Sequence, residues 1–159
     1  MTDVIGDGQV RVTWASSLAN PAAPTAAELT ASMELTPRMT PDGLKADPTT
    51  AAVDTGSLAS TTDTEEVGRT KYAVECTFKR GTTGGEDLPY TTLLKGLHGY
   101  LVVRRAVSVG TAWTAGQQVE VYPVACAERM NVATAPNEVM KYTVPMMVTQ
   151  APSTNATVA

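Results

Sequence analysis

Along residues 9–14 (QVRVTW) apolar and polar side chains alternate, with Val10, Val12 and Trp14 set against Arg11 and Thr13. A period of two marks an extended strand with one buried face. The same period returns at greater length in residues 69–80 (RTKYAVECTFKR). There Tyr72, Val74, Cys76 and Phe78 share one side, and Lys71, Ala73, Glu75, Thr77 and Lys79 share the other. This predicts a half-buried antiparallel strand whose polar side meets water or a partner. Residues 99–105 (GYLVVRR) run from apolar to basic. Residues 117–129 (QQVEVYPVACAER) alternate through Val119 and Val121, then Tyr122 and Val124, and Pro123 predicts a bulge or a change of register. Residues 138–150 place Met140, Tyr142, Val144, Met146 and Val148 on one face. Pro145 on the opposite face predicts an edge strand.

The period changes twice. Thr25 and Glu28 form a capping box, predicting a short helix that runs to about Ser32. A second helix is predicted from Asp87 as N-cap, with Pro89 in its first turn. It carries Tyr90, Leu93, Leu94 and Leu97 at helical spacing, stops at Gly96 or Gly99, and covers one face of the sheet. GTTGG (81–85) and GTAWTAGQ (110–117) read as connections between antiparallel strands. The last residues, APSTNATVA, read as a frayed tail or an arm that orders on a neighbour. No internal repeat is visible.

One passage fits none of these patterns. TTAAVDTGSLASTTDTEEVG (49–68) has no base, no aromatic residue and a single large aliphatic, Leu58. Charge is distributed unevenly around it. Residues 46–68 hold Asp47, Asp54, Asp63, Glu65 and Glu66 and no base, whereas bases lead from Arg69 to Arg105. The net charge of −4 and pI of about 4.9 argue against gripping nucleic acid, which takes clustered Lys and Arg. They do not argue against letting it pass. At 159 residues the chain fits one domain. Its apolar share leans on Ala and Val, with one Phe, so each buried side chain contributes little and burial against copies of itself adds stability.

Catalytic signatures are missing from the sequence. The single histidine, His98, falls between a predicted helix and a strand, where a structural role is the expectation. There is no G-x-S-x-G elbow, and no G-K-[ST] follows Gly81–Gly85 to make a phosphate loop. Cys76 and Cys126 lack C-x-x-C spacing, so zinc is not expected, and they read as two buried free thiols. The acids of 54–66 do not match a calcium loop. No cofactor or metal is expected. No apolar run is long enough for a membrane-spanning helix, and nothing resembles a secretion signal.

Taken together, VIGDGQVRVTW, ANPAAPTAAELTASMELTPRMTPDGL, TTAAVDTGSLASTTDTEEVGR, GYLVVRR, AGQQVEVYPV and NEVMKYTVPMMVTQAPSTNATVA resemble the major tail proteins, or tail-tube subunits, of long-tailed actinobacteriophages. The likeness covers nearly the whole chain. Thr62 departs from it, where a large aromatic residue is expected. The resemblance implies a mainly β fold: a β-sandwich with one flanking α-helix and a long inter-strand loop, oligomerising into a β-barrel-lined ring. Hexameric rings would stack head-to-tail into a tube that double-stranded DNA passes through. Tape-measure, tail-tip and terminator proteins would be its other partners. It would reside in the virion tail, after assembly in the host cytoplasm, with no membrane partner. A single domain (1–159) would carry an N-terminal arm (about 1–8), the long loop (about 41–68) and a C-terminal arm (about 150–159).

On this reading the loop is ordered by another subunit, not by its own core. Asp54, Thr55, Gly56, Ser57, Leu58 and Ala59 are expected at the intersubunit contact. Asp63, Glu65 and Glu66 face either the lumen or an interface. Lys71, Lys79, Arg104 and Arg105 are the candidate basic partners. Arg104, Arg105 and Pro145 are expected on edge strands, where they would delay pairing until assembly is nucleated. A tail terminator or head–tail connector ring is the alternative. A monomeric immunoglobulin-like module and a small hydrolase stand further off.

Overall fold

The computed structural model describes residues 2–159, and among these it contains nine strands and two short α-helices. In chain order they are β1 (Val10–Ala15), α1 (Ala26–Ala31), β2 (Met33–Glu34), β3 (Met39–Asp54), β4 (Glu65–Lys79), α2 (Leu88–Thr92), β5 (His98–Arg105), β6 (Gln118–Cys126), β7 (Met130–Asn131), β8 (Lys141–Val148) and β9 (Ser153–Thr157). Every pairing is antiparallel. The strands form one sheet in the order β2-β1-β5-β6-β8-β4-β3, with β7 beside β8 and β9 beside β6. The mainly β architecture expected from the period-two runs is therefore present.

The two ends of this path are close in the chain. Only Leu35 and a 3-10 turn, Thr36–Arg38, separate β2 from β3, so the sheet curls back on itself. Its concave face is one cluster of side chains from β1, β4, β5, β6 and β8, including Val12, Trp14, Phe78, Leu101, Tyr122 and Tyr142. A second cluster lies on the opposite face of β5 and β6, where Val102, Val119 and Val121 meet Leu29 of α1, Trp113, Ala156 and Val158. Central strands buried on both faces read as continuous apolar runs, which is why LVV and VYPV are not interrupted by polar residues. Gly99 lies against the Trp14 indole, and a Cβ there would overlap the ring.

Both proline expectations change. Pro145 lies in β8, between β4 on one side and β6 and β7 on the other, so it is not on an edge. It is tolerated because β7 pairing ends at Thr143 and β6 pairing begins at Met146, leaving a gap in the ladder at 145. Pro123 causes no slip against β5, whose register runs unbroken from His98↔Ala125 to Val103↔Glu120. It sits instead where β6 exchanges one neighbour, β9, for another, β8.

Helix α1 keeps its capping box, with Thr25 Oγ1 accepting from Glu28 N and Glu28 reaching back to the Thr25 amide. Helix α2 is shorter than its apolar spacing predicts. Gly96 N–H donates to Cys126 O, and Cys126 N–H to Leu97 O, so these residues join the end of β6 and cannot continue the helix. Asp87 holds the N-cap position but does not cap, because its carboxylate binds Arg80 and the Gly81 amide. GTTGG leads into α2 and not directly into a hairpin partner.

The C-terminal arm is also corrected. Residues 153–157 form β9 on β6, and Ala156 and Val158 are buried in the second cluster. Ala159 N–H donates to Pro24 O, and Ala26 N–H to Ala159 O, tying this end to the start of α1. Its alternating Ala156 and Val158 supply the apolar face that a frayed tail would lack.

Cys76 and Cys126 are free, buried and part of the concave cluster. Burial, then the neighbouring Cys126 and Glu75, push the Cys76 thiol up to about 12, and burial pushes Cys126 up to about 11. Unfolded thiols ionise near ~8.5. Between these values the unfolded chain releases protons that the folded chain retains, so stability present below about pH 8.5 is lost as pH rises. Maleimide labelling at pH 8 is expected to be at least ~100-fold slower in the native protein than in urea. Equal rates would show that the cluster is open.

Candidate assembly interface

Beyond the body of the sheet, β3 and β4 continue as a two-stranded arm. Pairing runs from Leu44↔Cys76 through Pro48↔Tyr72 to Thr50↔Thr70, then resumes from Ala52↔Val67 to Asp54↔Glu65. At the break, Gly68 and Arg69 face Ala51 alone, which makes a one-residue bulge. A Cβ on Gly68 would come within 2.6 Å of Ala51 O, so the bulge takes glycine. The Thr50 and Thr70 hydroxyls lie 3.0 Å apart across the arm. All residues from 47 to 67 are exposed, on both faces.

The long loop expected over about 41–68 is thus mostly hairpin, and only residues 55–64 are a connection. Its order comes from strand pairing within the chain. The connection is held by short local bonds. Thr55 N–H donates to Thr64 O at 2.9 Å, Gly56 N–H to Asp54 Oδ1 at 2.7 Å, and Ser57 N–H to Ser60 Oγ at 2.9 Å. Ser, Thr and Asp side chains that bond to nearby backbone replace the missing bulk. This explains the odd composition of the passage: it buries nothing, so it carries no large side chain except the fully exposed Leu58.

The arm gathers the candidate acids. Asp54 faces Glu65 in register, Val53 faces Glu66, and Asp63 lies in the connection beside them. Like charges directly opposite destabilise a hairpin. The candidate bases are scattered. Lys71 is exposed at the arm's base, opposite Thr49, and Lys79 pairs in register with Lys141 at the other end of β4.

Arg104 and Arg105 are not on an edge, since β5 lies between β1 and β6. Arg104 is fully buried and is no partner for a neighbour's acid. Its guanidinium donates to Ser108 O at 2.8 Å, Thr111 O at 2.9 Å and Gln117 Oε1 at 3.0 Å, and lies 4.6 Å from the Trp113 ring centre. Burial, then the nearby Arg11, hold its pKa below the ordinary arginine value. Arg105 is committed to Glu120 across the sheet at 2.9 Å.

Two features of the arm were not legible as site residues. Its edges are both free: β3 ends the sheet, and β4 pairs with β8 only from Val74 onward. Where β4 leaves β8, an open, largely apolar cleft of about 1180 Å³ forms, lined by Arg69, Lys71, Tyr72, Met147, Val148 and Pro152 among others. The β-branched residues Thr49, Thr50, Val53, Val67 and Thr70 were the available strand signal.

His98 stands exposed at the start of β5. Among the described residues no group of three or more His, Cys, Asp or Glu is placed to hold a metal ion. No helix among them is long and apolar enough to cross a membrane.

A family model for phage tail tube proteins matches residues 1–159. The chain belongs to the phage tail tube protein family. Comparison with curated proteins gives no match. The resemblance to phage tail-tube subunits drawn from the sequence motifs is borne out. A tail tube protein is a structural component of the virion tail and assembles with itself into a tube. Open strand edges are places where a further strand can add.

Proposed function

We propose that this chain is the repeating subunit of the tail tube, forming hexameric rings that stack head-to-tail into the conduit for double-stranded DNA. Tape-measure, tail-tip and terminator proteins complete its partners, and assembly takes place in the host cytoplasm. The observation that carries this reading is the arm: residues 47–67 are exposed on both faces and present two free strand edges. An isolated two-stranded ribbon is marginal in water, and it gains stability by adding to another surface. Contact between unlike patches of identical subunits generates rings and open filaments. Residues 54–59 are the intersubunit tip. The acids Asp63, Glu65 and Glu66 meet basic surface of a neighbour or line the passage, where they repel phosphates.

Negative-stain imaging of purified protein, with and without tail-tip seeds, tests the reading. Long uniform tubes are the expected result, accompanied by slower amide exchange across residues 47–67 in tubes than in subunits. Isolated rings that never stack would instead identify a terminator or connector. A monomer under all conditions would end the proposal.

A further inference from the structure

Among the described residues, no segment of the same subunit fills the cleft between β4 and β8. Its wall is the free edge of β4 below Val74, its apolar lining comes from both faces (Tyr72 and Val148 on the side of the concave cluster, Met147 on the other), and Arg69 and Lys71 supply charge. Met147, paired with β6 but one residue past the end of the β4 pairing, is 60% exposed. This combination suits an extended segment with aliphatic side chains and negative charge. The backbone edge provides hydrogen bonds, the lining takes apolar groups, and the bases take carboxylates.

One segment of the chain has that chemistry. Residues 3–7 read Asp-Val-Ile-Gly-Asp, with two β-branched aliphatics between two acids and no base. Val4 is 67% and Ile5 75% exposed, so neither is covered by the described residues of its own subunit. The segment is neither helical nor paired into the sheet. Where it joins the fold it is fixed elsewhere: Val109 N–H donates to Gly8 O, beside the β5–β6 connection. In the strand order β5, β6 and β8 separate its strand, β1, from β4. Six extended residues span about 20 Å, so the segment fits within the longer stretch of β4, Glu65 to Ala73, that has no β8 partner.

We propose that residues 2–7 of one subunit add as a strand to the free β4 edge of a second copy, with Val4 on the face of Tyr72 and Val148, Ile5 on the opposite face with Met147, and Asp3 and Asp7 on the Ile5 side toward Lys71 and Arg69. This rests on the reading of the chain as a self-assembling subunit, and it names the donor and the acceptor. Each copy gives one segment and receives one, so the contact is head-to-tail and propagates.

Crosslinking tests it. Subunits carrying Ile5→Cys are mixed with subunits carrying Met147→Cys and assembled with a short bismaleimide. Both positions are exposed, so neither change disturbs folding, and the native thiols are buried. The mixture allows only a contact between copies. The control acceptor is Ala135→Cys, at an exposed position in the connection between β7 and β8, away from the cleft lining. A heterodimer is expected with Met147→Cys, at least about tenfold above the Ile5→Cys and Ala135→Cys pair. Adding Val4→Asp to the donor is expected to cut the product about tenfold, since an aliphatic contact is replaced by a buried charge, and high salt to reduce it further. Tubes that grow with no more product than the Ala135 control would overturn the cleft assignment and leave the tube reading intact. Crosslinks found only within single chains bearing both cysteines would overturn it as well. Absence of both tubes and product would overturn the two together.

Discussion

Replacing residues 51–69 by Asn-Gly is expected to leave a subunit that folds as well as the parent and forms no tubes. Thr50 and Thr70 are directly opposite in the arm, so a two-residue hairpin turn closes the gap without altering register below it. Every residue removed is exposed or, in the case of Gly68, partly so, and none belongs to either apolar cluster. Surface changes away from caps, strain and buried groups cost within about 0.5 kcal/mol. Removal of Asp54 opposite Glu65 also relieves a like-charge pair. Thermal unfolding is therefore expected within a few degrees of the parent, about the shift that 1 kcal/mol produces in a domain of this size. Assembly, followed by light scattering and imaging, is expected to vanish. A truncated subunit that still polymerised would assign tube contacts to the sheet body. A large loss of stability would show that the arm supports its own fold.

The second large effect is expected at Arg104. Arg104→Ala removes a buried cation that binds three backbone carbonyls, Ser108, Thr111 and Ala112, and the Gln117 amide oxygen. Those acceptors lie in the β5–β6 connection, which has few apolar contacts of its own apart from Trp113. Trp113 has guanidinium groups at 4.6 Å (Arg104) and 4.8 Å (Arg11) from its ring centre. Truncation empties a cavity, removes one of the two cations on the Trp113 ring and takes the donor from Gln117 Oε1, while the three carbonyls keep one donor each from Thr111 N–H, Arg11 and Gln117 Nε2. A loss of about 3–5 kcal/mol follows from the lost charge-assisted hydrogen bonds together with the cavity, a large part of the ~5–15 kcal/mol that holds a domain together. Arg105→Ala, one residue away, breaks a half-exposed pair with Glu120 and is expected to cost under about 1 kcal/mol. Urea denaturation of both variants checks the contrast. Arg104→Lys is expected to recover only part of the loss, since an ammonium cannot reach the same spread of carbonyls. Equal midpoints for the Arg104 and Arg105 alanine variants would refute the buried role.

Neighbouring positions with the same side chain thus have opposite fates, and GYLVVRR does not distinguish them. Alternation assigns a face, but it does not say whether that face is wet. On β5 the face holding Tyr100 and Val102 is covered by Leu18, Leu29 of α1 and Trp113. Arg104 follows Val102 on that parity and is buried with it.

The local sequence determined what short-range physics controls. Val10, Val12 and Trp14 marked β1, and Tyr72 to Phe78 marked the paired half of β4. The Thr25–Glu28 box marked α1. The motifs as a set resembled the family to which the chain belongs. Those readings depend on side-chain period or on hydrogen bonds three residues apart, and a single sequence contains both.

Only the tertiary structure decided which strands are neighbours. It made Pro145 internal by placing a ladder gap beside it, and it ended α2 early by recruiting Gly96 and Leu97 to β6. It drew residues 153–157 in as β9, and it turned an apparent loop into an arm with free edges and a cleft at its root. Each of these outcomes depends on hydrogen bonds or packing between residues far apart in the chain, and such partners leave no periodic trace in the segment itself.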